Sequence, residues 1–317
     1  MTRRLASVIA RERARVFAPA SVGNLGPGLD ILGLAVHGIG DTVTATVVDE
    51  PGVHILNAGH PDLPTDATRH TSGIAAHAVL QHAGLDRLGV ALHVEKGLPL
   101  SGGQGGSAAS AVAGAVATNA LLATPIDRRA LLRACLTAES AVAGRHLDNL
   151  APSLLGGCIL VRSLDDLDTY RVPTPPELRV VLVHPHQRMR TADARAVLPT
   201  QIDLHTMIAQ AAHVASLVLA LSQGDFDALC VSINDHVAEP ARAALLPGFA
   251  SAKARALEAG ALGCSISGSG PTAFAFARGD VSAHAVAHAM TQAYAEHAIS
   301  TDVLVTTVDT DGARVLA

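Results

Sequence analysis

Aromatic residues are nearly missing from this chain: two tyrosines, five phenylalanines and no tryptophan in 317 positions. The core must therefore be assembled from Ala, Leu and Val, and a bound base would have to sit in an aliphatic slot because few rings are available for stacking. Charge is also sparse. Charged residues make up 16%, the net charge is −5, and no basic cluster stands out, which argues against a nucleic-acid surface. Arg11, Arg13 and Arg15 alternate with Glu12 and small residues, the pattern of a solvated strand entry. The four cysteines (Cys135, Cys158, Cys230, Cys264) are far apart with no Cys-x-x-Cys, so reduced, mostly buried thiols in a cytoplasm are expected. His184 and His186 flank Pro185, and a surface loop explains that pair better than a zinc site. No apolar run approaches the ~20 residues of a membrane span, and the apolar part of MTRRLASVIARERAR is too short for a signal peptide.

What is abundant is apolar and small: 49% hydrophobic residues and 28 glycines, enough to exclude global disorder and to fill two domains. Val16–Thr46 mixes apolar stretches with the turn Ser21–Asp30, and Asp41–Val48 follows as a strand. Helices are expected at 67–83, from Asp127 as N-cap to about Val142, and around 204–221, 226–231 and 249–260. Gly156–Val161 and Arg179–His184 read as strands, and another pair flanks Ser267–Pro271. The acidic, proline-bearing stretch Ser163–Glu177 marks a domain boundary, giving an N-terminal unit over 1–168 and a C-terminal unit over 169–317. Strands and helices lack a regular βαβ rhythm, so the fold class is α+β.

The most informative segment is Gly97–Ser110, GLPLSGGQGGSAAS. Five glycines fall within ten residues; a strand (Gly89–Lys96) enters the segment and an alanine-rich helix leaves it. Unhindered backbone can wrap a phosphate, and helix-start N–H groups favour negative charge, so the segment reads as a phosphate cradle, with Ser107 as N-cap of the helix. A P-loop is excluded because no lysine follows these glycines. Gly103-x-Gly105-x-x-Ala108 fits a dinucleotide fingerprint, but Gly97–Ser101 separates it from the strand and Asp127 opens a helix.

On the helix beginning after Asp127, taken at about 100° per residue, Leu131, Leu132, Cys135, Leu136 and Val142 form one stripe, and Glu139 lands inside it at about 80°. A carboxylate on a buried face needs a cation or hydrogen-bond partners. The alternatives are that it reaches solvent at the stripe's end or pairs with an arginine. Asn24 and Asp30 suit turn chemistry, Asp30 also an N-cap. Arg195 and Arg242 fit either surface charges or carboxylate clamps, for which a guanidinium fork is suited. Asp148, beside His146 and Asn149, precedes a helix start and could simply cap it.

Pro99–Ala109 resembles the ATP-binding motif of the GHMP kinases, and Pro19–Asp30 (PASVGNLGPGLD) and Gly263–Phe276 (GCSISGSGPTAFAF) resemble that family's first and third motifs. His146–Pro152, Thr191–Gln201 and Ala238–Phe249 resemble the homoserine-phosphorylating branch. The six segments occur in the family's order. The loop departs from the usual Gly-Ser-Gly-Leu-Gly-Ser-Ser: Gln104 replaces the leucine and Gly106 the first serine, while Ser107 keeps the second. Arg69-His70-Thr71 stands where relatives place a base-contacting asparagine.

The resemblance implies an N-terminal domain like ribosomal protein S5 domain 2 and a ferredoxin-like C-terminal domain, with the site between them. It implies ATP held by Pro99, Leu100, Ser101, Gly102, Gly103, Gln104, Gly105, Gly106, Ser107, Ala108 and Ala109, and Mg²⁺ held by Ser107 and Glu139. L-homoserine would be oriented by Asn24, Asp30, His146, Arg195 and Arg242, its hydroxyl positioned by Asn149, with Asp148 as a base candidate. The implied product is O-phospho-L-homoserine, on the route to threonine. A kinase for another small alcohol, or an idle ligand-binding relative, remains the alternative reading. No nucleic-acid or membrane partner is expected, and a homodimer is left open.

Overall fold

A computed structural model describes residues 8–317; the part of the signal-peptide reading that rests on residues 1–7 lies outside it. The N-terminal half runs β1 (Arg13–Gly23), β2 (Leu32–Val48), β3 (Gly52–Asn57), α1 (Thr71–His82), β4 (Gly89–Glu95), α2 (Gly106–Leu121), α3 (Arg128–Val142), α4 (Leu150–Leu155), β5 (Cys158–Ser163) and β6 (Asp168–Val172). The C-terminal half runs β7 (Leu178–Pro185), α5 (Thr191–Ala196), α6 (Leu204–Gln223), α7 (Phe226–Ser232), α8 (Ala238–Ala243), α9 (Phe249–Glu258), β8 (Gly263–Ile266), β9 (Ala273–Arg278), α10 (Gly279–Glu296), β10 (Thr301–Thr306) and β11 (Arg314–Val315).

The first sheet has the order β11-β1-β2-β4-β3, with β5 pairing the start of β2 and β6 pairing β5. Among the described residues only β3 and β4 run parallel, joined through α1. Arg13 and Arg15 are exposed at the entry of β1, as their alternation with small residues requires. Helix α2 lies against β1, β2 and α1. Its alanines and glycine are nearly all buried, and their small size lets three elements approach one another closely. The second sheet, β10-β7-β9-β8, is antiparallel throughout. Numbered within this half the strand order is 4-1-3-2, with helices following the first and third strands, which is the ferredoxin-like arrangement. Val180 and Leu182 of β7 join the main core, while Val181 and Val183 join a second core with α9 and α10. Burial on both faces explains the unbroken apolar run of that strand.

Three expectations need correction. Strand β6 pairs with β5 in the first sheet, so a division at 168/169 would cut it; the acids at 165, 166 and 168 belong to a hairpin, and the break falls in the proline stretch after Val172. Strand β11 also returns to β1, so the C-terminal residues complete the first sheet. Finally, α6 has 20 residues and is, by length and composition, apolar enough to cross a bilayer. Its interruptions are His, Thr, Gln and Ser, which break an apolar run to the eye but include no Asp, Glu, Lys or Arg.

Candidate active site

Strand β4 delivers the chain to the glycine loop, and the loop turns into α2 through Gly105. This residue, at φ 69°, occupies the N-cap position, and no side chain caps the helix. Ser107 lies inside the first turn, so it is not the cap. The helix start thus presents backbone N–H groups toward the cleft, where the helix dipole favours an anion. Left-handed backbone suits glycine, and a Cβ at Gly105 would lie 2.2 Å from Ser21 Oγ. Gly105→Ala is therefore expected to lower stability by about 1–2 kcal/mol from backbone strain alone, and to weaken nucleotide binding about tenfold or more (~1.4 kcal/mol). Thermal melts and nucleotide titrations check this; an unchanged nucleotide affinity would contradict the loop's role.

The loop is braced from the other half of the molecule. Ser267 Oγ donates to Gly103 O (2.6 Å), and both the backbone N–H and the hydroxyl of Thr272 donate to Gly102 O. Gln104 Nε2 donates to Thr272 Oγ1 (3.2 Å), and His184 Nδ1 lies 3.0 Å from the same oxygen. Thr272 has one hydroxyl proton, already given to Gly102 O, so His184 is the donor in its contact. His184 belongs to β7 rather than to a loop. Gln104 thus makes a hydrogen bond across the two halves.

A further group was not foreseen. Lys96, the last residue before the loop, pairs with Asp41 Oδ2 and donates to Gly106 O (3.0 Å) and Ser110 Oγ (3.0 Å). Ser110 Oγ also donates to Asp41 Oδ2 (2.6 Å), and Gly97 N to Asp41 Oδ1 (3.1 Å). Lys96 and Asp41 are buried, and Lys96 lines the cleft. The only sequence signal was a lone carboxylate in a strand with no other Asp, Glu, Lys or Arg.

Asp127 caps α3 by accepting from Ala130 N, and α3 carries Glu139 into the cleft. Glu139 reaches neither solvent nor an arginine. It is buried, its Oε1 accepts from Ser107 Oγ (3.1 Å), and its Oε2 is buried without a hydrogen-bond partner. Burial pushes its carboxyl up to about 7, the Ser107 bond opposes this, and the charge of Asp148 adds to it. Val142, expected in the buried stripe, is instead exposed on the cleft wall at the last turn.

On the acceptor side, Asp148 does not cap α4. Asn149 holds that position, without a side-chain cap bond. Asn149 Oδ1 accepts from Ser21 Oγ (2.9 Å) and its Nδ2 donates to Asp148 Oδ2 (3.3 Å). Asp148 is buried against Gly23, where a Cβ would fall 2.5 Å from Oδ2. Burial, then the charge of Asp30, pushes the Asp148 carboxyl up to about 7.

Asp30 caps no helix; it and Arg195 form a two-pronged ion pair, with Arg195 Nη1 donating to Asp30 Oδ2 at 2.7 Å and Nη2 to Oδ1. Burial raises the Asp30 carboxyl, but the Arg195 bond and charge, with His146 and Arg242 behind them, outweigh it and hold it below the usual range. Arg195 Nη2 also donates to His146 Nδ1 (3.2 Å), which requires that ring nitrogen to be unprotonated. Burial likewise pushes the His146 ring down. Arg242 is buried and donates to Ala194 O (3.1 Å) and Gly268 O (2.9 Å). Asn24, at φ 70°, donates to Gly268 O (3.0 Å) and accepts from Asp30 N (3.1 Å). Both ends of its amide are engaged in holding the turn to the opposite loop.

Loop, Glu139 and acceptor side enclose one cleft of about 440 Å³. It brings together Pro99, Leu100, Ser101, Gly102, Gly103, Gly105, Gly106 and Ser107 with Asn24, Glu139, His146, Asp148, Asn149, Arg195 and Arg242. Four expected residues are not in its lining: Gln104 points to Thr272, Ala108 and Ala109 are buried in the core, and Asp30 stands behind Arg195. In Arg69-His70-Thr71, His70 caps α1 and is tied to Ala58 O, while Thr71 lines the cleft with Leu63 and Pro99.

The sequence matches the GHMP kinases N terminal domain over residues 70–157 and the GHMP kinases C terminal domain over residues 217–296. It is 40% identical over 316 residues to a homoserine kinase of Chlorobium phaeovibrioides, covering 95% of this chain and 99% of that one. Against a homoserine kinase of Chloroherpeton thalassium it is 40% identical over 313 residues, covering 95% and 98%. Among solved structures, the homoserine kinase from Cytophaga hutchinsonii is similar with a TM-score of 0.93 at 41% identity, over 97% of this chain and 98% of that one. The chain belongs to the GHMP kinase family. Within that family, the relatives named here are homoserine kinases.

Proposed function

We infer that this chain transfers the γ-phosphoryl group of ATP to the side-chain hydroxyl of L-homoserine, in the cytoplasm and on the route to threonine. The observation that carries the reading is the convergence, in one cleft, of an uncapped helix start behind a glycine loop, a buried carboxylate with a free oxygen, and two arginines on the acceptor side. The new bond joins the homoserine oxygen to phosphorus, the bond to the ADP oxygen breaks, and the hydroxyl proton leaves. Phosphoryl transfer has a loose transition state, so alignment and charge stabilisation supply most of the catalysis. Asn149, fixed by Ser21, orients the hydroxyl, and Asp148 is the group able to take its proton, since a carboxyl titrating near neutrality is matched to that task.

Mg²⁺ fits the residues present. The unpartnered Glu139 Oε2 and the Ser107 hydroxyl would hold it, and a cation needing few protein ligands takes the rest from water and phosphate. When bound, it neutralises charge on the phosphate oxygens. Arg195 and Arg242 suit the α-carboxylate. Because Arg195 rests on Asp30, binding an amino acid would exchange that pair for Arg195 with the substrate carboxylate and Asp30 with its ammonium.

Arg195→Gln is expected to raise KM for homoserine about 100-fold (~2.7 kcal/mol) and KM for ATP far less. An equal rise in both would remove Arg195 from the carboxylate clamp. A panel of homoserine, threonine, mevalonate and shikimate, assayed for ADP release, tests the acceptor. Release with another alcohol but not homoserine would redirect the assignment, and ligand binding without any release would favour an idle relative.

A further inference from the structure

Gln210 is a polar residue on the inner side of the apolar helix α6. At about 100° per residue it falls within about 20° of Leu217 and Leu221, two of the three residues of that helix that are buried. Both hydrogens and the oxygen of its amide are engaged. Nε2 donates to Pro27 O (2.7 Å) and Asp235 Oδ1 (3.0 Å), and Oε1 accepts from His236 N (2.8 Å). Gln210 does not line the cleft, and nothing in the chemistry above uses it.

The two oxygens it donates to belong to opposite sides of the amino-acid site. Pro27 lies in the turn that carries Asn24 and Asp30. Asn24, Leu25 and Gly26 there have left-handed backbone in succession (φ 70°, 48° and 78°), and so has Asp30 (φ 63°). Residues with a Cβ are disfavoured in that region, so the turn keeps this shape only where its surroundings fix it. Pro27 is buried, and Gln210 gives its carbonyl the one hydrogen bond it has among the described residues. Asp235 accepts from Val237 N (2.8 Å), Ala238 N (3.0 Å) and Glu239 N (2.8 Å). These bonds fix the entry of α8, whose Arg242 is buried against Ala194 O and Gly268 O.

We propose that Gln210 is a positioning residue for homoserine, holding the turn that bears Asn24 and Asp30 in register with the helix that bears Arg242. The groups for the ammonium and for the carboxylate then stand at the spacing that one amino acid needs. The proposal rests on the reading of the acceptor given above. Without the amide, the Pro27 carbonyl is left buried and unpaired, and a shift of about 1 Å between binding groups is enough to cost up to about 100-fold. The nucleotide loop is held by Ser267, Thr272 and Lys96 instead, so the two substrates should respond differently.

Gln210→Met keeps the length of the side chain without its hydrogen bonds. KM for homoserine should rise about tenfold, while KM for ATP and kcat at saturating homoserine stay within about twofold of wild type. Gln210→Asn keeps the amide but is one methylene too short to span both oxygens. It should show a smaller rise of the same kind, and it carries the test if the apolar side chain does not fold. A merely structural residue acts otherwise: its loss lowers the folded fraction, so kcat falls and neither KM moves. That result, an equal rise in both KM values, or an unchanged KM for homoserine in both variants overturns the proposal. A wild-type chain that releases no ADP with homoserine discards the acceptor reading and this proposal together, whereas unaffected variants beside an active wild type discard the proposal alone.

Discussion

Glu139→Gln is expected to lower kcat on the order of 10³-fold, about 4 kcal/mol of transition-state stabilisation, without lowering stability. The two effects part because Glu139 serves the fold poorly: it is buried, one of its oxygens has no partner, and its carboxyl is pushed up to about 7. A carboxyl whose folded pKa is raised binds its proton more tightly in the native state. Its stabilising contribution is complete below the ordinary value of 4.5 and is lost as pH rises through about 7. Asp148, raised from 3.8 to about 7, acts in the same window and with the same sign. His70, His146 and His184, whose rings burial pushes down, act with the opposite sign; against them, the two carboxyls make the ligand-free wild type lose stability from about pH 5 to about pH 8. Glu139→Gln removes one of the two contributions and should reduce that slope, leaving the part due to Asp148. Denaturant melts at the two pH values and steady-state kinetics with Mg²⁺ check both. Near-normal turnover would discard the metal role; a variant that unfolds would discard the view of Glu139 as a strained, functional carboxylate.

The parts of this site legible in the sequence are those carried by local pattern. The glycine loop shows as composition, Asp127 as a cap, and Glu139 as a carboxylate at the wrong angle of an apolar stripe; each depends on neighbours within a few residues. The hidden parts are pairings made by topology. Asp41 and Lys96 meet because β2 and β4 are adjacent antiparallel strands. Thr272 meets Gly102 and Gln104 only because the second half folds over the first. The same holds for Asp30 and Arg195: the first reads as a turn or N-cap residue and the second as a surface charge or carboxylate clamp, and their mutual ion pair depends on α5 being set over the Ser21–Asp30 turn. The misjudged Ser107 is instructive on a smaller scale. A serine before an alanine run fits a cap, but Gly105 can adopt the left-handed backbone that starts the helix two residues earlier, freeing the serine hydroxyl for Glu139. The apolar length of helix α6, a helix that the sequence does show, escaped for a different reason: polar residues other than Asp, Glu, Lys and Arg interrupt its apolar run without making it polar.

Lys96→Met should be the most destabilising single substitution near the cleft. It leaves the Asp41 carboxylate buried with only Ser110 Oγ and Gly97 N to compensate it, and breaking a buried ion pair on one side costs about 3–5 kcal/mol. The melting temperature should fall by roughly 10 °C. Adding Asp41→Asn to Lys96→Met removes the stranded charge and should recover most of the loss. The nucleotide site responds differently. Lys96 also holds Gly106 O, the first carbonyl of α2, so the double variant, although stable, still lacks the group that sets the direction of the helix start. KM for ATP should stay raised in both variants while KM for homoserine stays near wild type. If the double variant regained wild-type ATP affinity together with its stability, Lys96 would be a core ion-pair partner alone; if the single variant melted within about 2 °C of wild type, the pair would carry neither role.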